Sequence, residues 1–342
     1  MIYANALQCI GNTPIVRLNR VGKDCPAEIY AKLEFMNPGG SVKDRIGYVL
    51  IEDAEKKGLL KPGGTIVEAT SGNTGVGLAI AAAIKGYKCV FVLPDKMSED
   101  KINFLRSFGA QVIKTPSGVA ADDPRSHYSV AKQMVKEIPN SALMDQFDNL
   151  ANQEIHYQKT GPEILEQMPD IDVLVSGMGT GGTLSGAGRY LKEKKPGIKL
   201  ICIDPVGSII HDVFYHGKPL TPPAPYRMEG IGEDFIPKNF DLKILDAVVQ
   251  IEDQESFQLT RDLLHQEGLY CGISSGGGVA GAMKWANKIG AAAKGLKILT
   301  IMCDSGDRYM SKLWNDEWLK KEGLLNDRMN NLPAVQKTEG AK

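Results

Sequence analysis

The chain has 342 residues, 43% of them apolar and 24% charged, with a formal net charge of -1. That length supports a large core and two domains of an ordinary globular protein. The near-neutral balance and the absence of a basic run give no electrostatic footprint for nucleic acid or an acidic membrane, so neither is expected as a partner.

Six cysteines (Cys9, Cys25, Cys89, Cys202, Cys271 and Cys303) form no CxxC pair, and no disulfide framework is expected. Residues 79–84 are apolar but fall far short of the roughly 18 needed to cross a membrane. The first residues show no basic region followed by an apolar run, so the protein is expected in the cytoplasm.

In chain order, residues 65–69 read as a strand, 76–85 as a helix and 89–93 as a strand ending at Pro94. A helix over 98–108 takes Ser98 as its N-cap. A strand at 111–114 and a helix ending at 131–137, before Pro139, complete the first series. The second series has strands at 172–176, 200–203, 248–252 and 296–302, with helices at 183–193, 255–266 and 279–286. Residues 209–237 read as loop and short elements, and the tail after Lys320 is polar. Repeated strand–helix–strand order predicts an α/β protein with two parallel-sheet units and a cleft between them.

Three segments carry the chemistry. Asn37-Pro38-Gly39-Gly40-Ser41-Val42-Lys43-Asp44-Arg45 places one lysine after a tight turn. Ser41 is expected to cap the following helix, with Lys43 in its first turn. A lysine kept from water loses its proton more easily than one at ~10 and becomes a nucleophile. Position alone leaves open that Lys43 is a surface residue in a charged cluster, with Asp44 and Arg45 as a local ion pair.

Thr70-Ser71-Gly72-Asn73-Thr74-Gly75 joins a strand to an alanine-rich helix. Unpaired N–H groups at that helix start suit a carboxylate, and Thr70, Ser71 and Thr74 add hydroxyls. Asn73 can donate to a ring oxygen of a cofactor. A plain capped turn is the alternative.

Gly177-Met178-Gly179-Thr180-Gly181-Gly182-Thr183 lets the backbone curl around an anion and reads as a phosphate cradle. It has neither the terminal Gly-Lys-Ser/Thr of a Walker loop nor dinucleotide spacing. A fourth segment, Gly272-Ile273-Ser274-Ser275-Gly276-Gly277-Gly278, reads as a glycine-rich turn before a helix. A serine there can face a pyridine nitrogen. The five histidines (His127, His156, His211, His216 and His265) show no metal spacing, and there is no G-x-S-x-G segment.

With these motifs the chain resembles the fold type II pyridoxal-phosphate family, in its cysteine synthase and cystathionine beta-synthase branch, over about residues 8–320. Gly11-Asn12-Thr13-Pro14 matches the family opening. The resemblance implies the two three-layer domains of that fold. Residues 1–44 plus 150–320 form a large cofactor-binding domain, 45–149 a small mobile substrate domain, and 321–342 a tail. It implies pyridoxal 5'-phosphate as a Schiff base on Lys43, with Asn73 at the ring oxygen. Gly179, Thr180, Gly181, Gly182 and Thr183 hold the phosphate, and Ser274 faces the pyridine nitrogen. Thr70, Ser71 and Thr74 take the substrate carboxylate, and Gln146 lies on the substrate side.

Met228-Glu229-Gly230-Ile231-Gly232-Glu233-Asp234-Phe235-Ile236-Pro237 and Tyr309-Met310-Ser311-Lys312 resemble the cystathionine beta-synthase core. Gly161-Pro162-Glu163-Ile164 and Gly272-Ile273-Ser274-Ser275-Gly276 look like cysteine synthase. Glu233 stands where animal cystathionine beta-synthases resemble one another in having tyrosine. Glu229 and Glu233 are expected to meet an amino group of the second substrate. The implied reaction is β-replacement of serine by homocysteine. Alternatives are O-acetylserine with sulfide, or sulfide release from cysteine. No haem, no metal and no adenosylmethionine response are expected, and the family implies a homodimer acting on amino-acid and thiol substrates.

Overall fold

The computed structural model describes residues 2–70, 72–95, 97, 99–117, 119, 123–326 and 329. Ser71 and Ser98 lie outside the described residues, as does most of the polar tail.

Strand β1 (Ile15–Arg17) pairs antiparallel with β2 (Glu28–Leu33). Helix α1 (Asp44–Lys56) then leads to a run of β3 (Thr65–Ala69), α2 (Asn73–Lys85), β4 (Lys88–Pro94), α3 (Glu99–Ser107), β5 (Gln111–Thr115), α4 (His127–Glu137) and β6 (Ser141–Leu143). The chain returns through α5 (Ala151–Ile155), one π-helical turn (His156–Thr160) and α6 (Gly161–Gln167). It continues with β7 (Val173–Gly177), α7 (Gly182–Lys194), β8 (Lys199–Pro205), α8 (Ile210–His216), β9 (Ala247–Ile251), α9 (Asp253–Glu267), α10 (Ile273–Ile289), β10 (Lys297–Met302) and α11 (Asp316–Lys321).

Two sheets result. One has six strands in the order β1-β2-β10-β7-β8-β9, the other four in the order β5-β4-β3-β6. Apart from β1 against β2, every pairing is parallel. Parallel strands require crossovers, and the intervening helices cover both faces. The side-chain period of two shows this directly. Val173 and Val175 join one core cluster while Leu174 joins the opposite one. Likewise Ile66 packs with Phe91 and Leu93, whereas Val67 and Ala69 pack with Val90 and Val92.

One helix contact fixes where the lysine segment sits. A Cβ on Gly47 would lie 2.2 Å from the Gly77 carbonyl carbon, and a Cβ on Gly77 would lie 2.6 Å from the Lys43 carbonyl oxygen. Only glycines allow α1 and α2 to approach this closely, and the approach sets Lys43 beside the start of α2.

Several boundaries differ from the sequence reading. α2 begins at Asn73, and α4 at His127, where Ser126 Oγ accepts the Ser129 N–H at 3.1 Å. Residues 273–278 are not a turn but the opening turns of α10. Strands β1, β2 and β6 and helices α5 and α6 had no clear signal. Among the described residues no helix is long and apolar enough to cross a membrane, and no group of three or more His, Cys, Asp or Glu could hold a metal ion.

Candidate active site

The candidate residues gather where α1, α2, α7 and α10 begin, beyond the C-terminal ends of β3, β7 and β10. Parallel sheets expose helix N-termini at that end, and ligands bind there. None of the four helices has a side-chain hydrogen bond capping its N-terminus. Among the described residues the N–H groups that open α2 and α7 therefore remain available to an anion, whereas those of Asp44, Arg45 and Ile46 in α1 already bond the Ser41, Val42 and Lys43 carbonyls.

Lys43 is the N-cap residue of α1 rather than part of its first turn. Ser41 accepts the Lys43 N–H at 3.2 Å and so supports the residue just before the helix. The segment is pinned to the end of β10, where Val42 donates its N–H to the Cys303 carbonyl at 2.8 Å and Ser305 to that of Gly40 at 3.2 Å. The Lys43 amine is half-buried and has no hydrogen bond or ion pair among the described residues. Burial lowers its pKa, opposed by Cys303, Asp304 and Glu233.

Asp44 and Arg45 do not pair with each other. Asp44 accepts the Gly39 N–H, and burial raises its carboxyl to about 7. Arg45 instead enters a buried cluster, bonding Glu34 at 2.7 and 2.8 Å and Glu163 at 2.9 Å. Lys32 also meets Glu163, at 2.6 Å.

Asn73 is held at both ends of its amide. Its Nδ2 donates to Asp304 Oδ2 at 2.7 Å, and its Oδ1 accepts from Arg308. This fixes which edge faces the site and leaves one Nδ2 hydrogen to donate. Tyr309 also donates to Asp304 Oδ2, at 2.7 Å.

Thr74 donates to Gln146 Oε1 at 2.6 Å, and Gln146 Nε2 donates to the Ala69 carbonyl at 3.1 Å. Thr70 is buried, and its hydroxyl accepts the Gly72 N–H at 3.0 Å. Beneath them Glu68 accepts the N–H groups of Asp145 and Gln146 at 2.8 and 3.2 Å, and burial raises its carboxyl to about 8.

The glycine-rich loop continues this network. Asn152 Nδ2 donates to the Gln146 carbonyl at 2.7 Å and to Thr180 Oγ1 at 3.0 Å. Thr183 Oγ1 meets His156 Nε2 at 3.2 Å, and His156 Nδ1 meets Thr160 Oγ1 at 2.9 Å. Burial drives the His156 pKa down to about 3, so the ring is neutral. Gly181 adopts φ +85°, and a Cβ there would lie 2.5 Å from Phe240 Cβ. A Cβ on Gly179 would lie 2.4 Å from the Gly230 carbonyl oxygen. Bare backbone is thus required through the loop.

Ser274 is buried in the first turn of α10, its hydroxyl within hydrogen-bonding reach of the Cys303 thiol. Glu229 has its carboxylate between Lys101 and Lys312, the latter at 2.6 Å, and these two ammonium groups hold it down to about 2. That pairing disfavours the expectation of an amine-binding carboxylate at Glu229. The charge of Glu233 acts on Lys43, Tyr128 and Tyr226.

Sequence reasoning missed Asp304, Arg308, Asn152, His156 and Glu68 as parts of the site. Only Asp304 carried a usable signal, since it follows the apolar run of β10.

The arrangement fits a phosphorylated aldehyde cofactor. The unpartnered Lys43 amine suits the aldehyde, and the uncapped N-terminus of α7 with its side-chain-free loop suits a phosphate.

Comparison with known proteins agrees. The family model described as "Pyridoxal-phosphate dependent enzyme" matches residues 6–304. Cystathionine beta-synthase of Rattus norvegicus is 46% identical over 332 residues, 96% of this chain and 58% of the rat protein. The chain thus spans less than two thirds of that relative's length. A solved O-ureido-L-serine synthase superposes with a TM-score of 0.84 at 34% identity, covering 94% of this chain and 100% of that one. An O-acetylserine dependent cystathionine beta-synthase from Helicobacter pylori gives 0.81 at 39% identity, covering 91% and 98%. By fold, site geometry and sequence, the chain belongs to the pyridoxal-phosphate dependent enzyme family.

Proposed function

We propose that this chain catalyses β-replacement on an amino acid, joining L-serine and L-homocysteine into L-cystathionine with loss of water. The observation that carries the proposal is the unpartnered, half-buried Lys43 amine at the meeting point of helix N-termini. Pyridoxal 5'-phosphate, when bound, supplies the electron sink that makes the α proton acidic and the β substituent a leaving group.

In this reading Lys43 carries the cofactor and, once displaced, takes the α proton; after the replacement it protonates the α carbon with a proton drawn from the incoming thiol. Its ammonium form protonates the departing hydroxide. Thr70, Ser71 and Thr74, with the N–H groups that open α2, take the substrate carboxylate, and Gln146 borders the same space. Gly179, Thr180, Gly181, Gly182 and Thr183 bind the cofactor phosphate. Asn73 donates to the ring oxygen and Ser274 faces the ring nitrogen. A neutral hydroxyl there leaves that nitrogen largely unprotonated. Glu233, whose charge acts on Lys43, receives the amino group of the second substrate. Residues 45–149 act as a small domain closing on residues 1–44 and 150–320. The working form is a cytoplasmic homodimer.

A second reading keeps the thiol acceptor and changes the leaving group to acetate. The Helicobacter pylori cystathionine beta-synthase, 39% identical, is O-acetylserine dependent. Acetate leaves without an acid, so this reading asks less of Lys43.

Product analysis of serine plus homocysteine, O-acetylserine plus homocysteine, and O-acetylserine plus sulfide separates them by specificity constant. Dominance of the first pair supports the proposal. Dominance of the second supports the acetate reading. Dominance of the third makes the enzyme a cysteine synthase and overturns both.

A further inference from the structure

The dipeptide Cys303-Asp304 is the hub of the candidate site. Its backbone touches both flanking segments. The Cys303 carbonyl accepts the N–H of Val42, the residue before Lys43, at 2.8 Å. The Asp304 carbonyl accepts the N–H of Gly272, two residues before Ser274, at 2.9 Å. The Asp304 carboxylate holds Asn73. Cys303-Asp304 thus sits between the segments that carry Lys43 and Ser274. The Lys43 amine and the Ser274 hydroxyl both lie near enough to the Cys303 sulfur to lower its proton affinity against the effect of burial. Within its own strand the thiol donates to the Ile301 carbonyl at 3.7 Å.

We propose that Cys303 is a further wall of the cofactor pocket, with its free thiol facing the space between Lys43 and Ser274, so that bound cofactor shields it and covalent bulk on its sulfur excludes the cofactor. This rests on the reading that Lys43 and Ser274 hold pyridoxal phosphate. Burial raises the thiol to about 11, so at neutral pH it presents a protonated sulfur to the ring edge. An alkylating agent that reaches it forms a carbon–sulfur bond, expels its halide and releases the thiol proton to solvent. Such a modification would make loading, rather than turnover, the thiol-sensitive step.

The test uses the full chain, with and without pyridoxal 5'-phosphate, and iodoacetamide at about pH 9. Peptide mass spectrometry follows Cys303, with exposed Cys9 as internal control. At cofactor ten times its dissociation constant, labelling of Cys303 should slow about tenfold while Cys9 is unchanged. Cofactor-free enzyme labelled at Cys303 should fail to regain the near-visible band. Equal rates in the two states, or no labelling in either, would overturn the proposal. Variants give an independent check. Cys303→Ala should bind cofactor, and Cys303→Met, which fills the same space, should bind at least tenfold more weakly. Tight binding by Cys303→Met would also overturn it. If wild-type enzyme develops no near-visible band with the cofactor, the functional reading itself fails, and the two failures are distinct.

Discussion

Replacing Gly182 by alanine should cripple cofactor binding through one identifiable clash. The added Cβ would lie 2.0 Å from Asn152 Oδ1 and 2.6 Å from its Cγ. Asn152 is 1% exposed and cannot swing into solvent. Its Nδ2 is committed to the Gln146 carbonyl at 2.7 Å and to Thr180 Oγ1 at 3.0 Å. Moving the amide sacrifices two buried hydrogen bonds, each about 1 kcal/mol, and adds overpacking of about 1–3 kcal/mol. If even half of that falls on the loop, cofactor affinity drops by roughly 10- to 100-fold. Titration of the near-visible band with pyridoxal 5'-phosphate measures the affinity, and urea unfolding of the cofactor-free chain measures the remainder. The double variant Gly182→Ala/Asn152→Gly removes the obstacle and should recover part of the loss. Wild-type affinity and stability in Gly182→Ala, or no recovery in the double variant, would refute the reasoning.

Arg45→Met should cost about 3–5 kcal/mol, because it leaves Glu34 and Glu163 buried with only Lys32 as a counter-charge. Denaturant unfolding checks this, and a loss below about 1 kcal/mol contradicts it. His156→Gln should flatten the acid limb of stability. The folded ring titrates near 3 against an ordinary 6.5, so between these values the unfolded chain takes up a proton that the folded chain refuses, and stability falls as pH drops. Parallel wild-type and variant curves from pH 6.5 to 4 would count against a neutral buried ring. Glu229→Gln removes the charge that ties α3, through Lys101, to Lys312 on the far side of the cleft. Hydrogen exchange across Glu99–Ser107 should then accelerate, and unchanged protection would show that the bridge does not restrain the helix.

What the sequence disclosed followed from local chemistry. Strands β3, β7, β8 and β10 are apolar runs buried on both faces, and such runs announce themselves. Strand β2 did not, because Lys32 interrupts it. That lysine is fully buried only because Glu163, 131 residues away, meets it. Helix α6 was hidden by Gly161-Pro162, which looks like a break. In place, α5, the π-helical turn and α6 run on without a break, and the proline falls where that turn, closed by the Gly161 N–H on the His156 carbonyl, passes into α6. Gly276 and Gly278 suggested a turn, since glycine is a poor helix former. Instead they let α10 lie against its neighbours, with a Cβ on Gly276 only 2.2 Å from the Ser256 carbonyl and one on Gly278 2.3 Å from Thr300 Oγ1. The loops around Lys43, Asn73 and Thr183 were legible because uncapped helix starts after strands have a compositional signature. Asn152 and His156 were not, because nothing local marks a side chain that supports a loop from another helix. For Glu229 the charge was visible and the two lysines that hold it were not.

The most direct test of the account is to fix the cofactor in place with borohydride and map the adduct after proteolysis. The account predicts one reduced phosphopyridoxyl group on Lys43, with no near-visible band in Lys43→Ala. An adduct on any other lysine, or a band that survives Lys43→Ala, would contradict it.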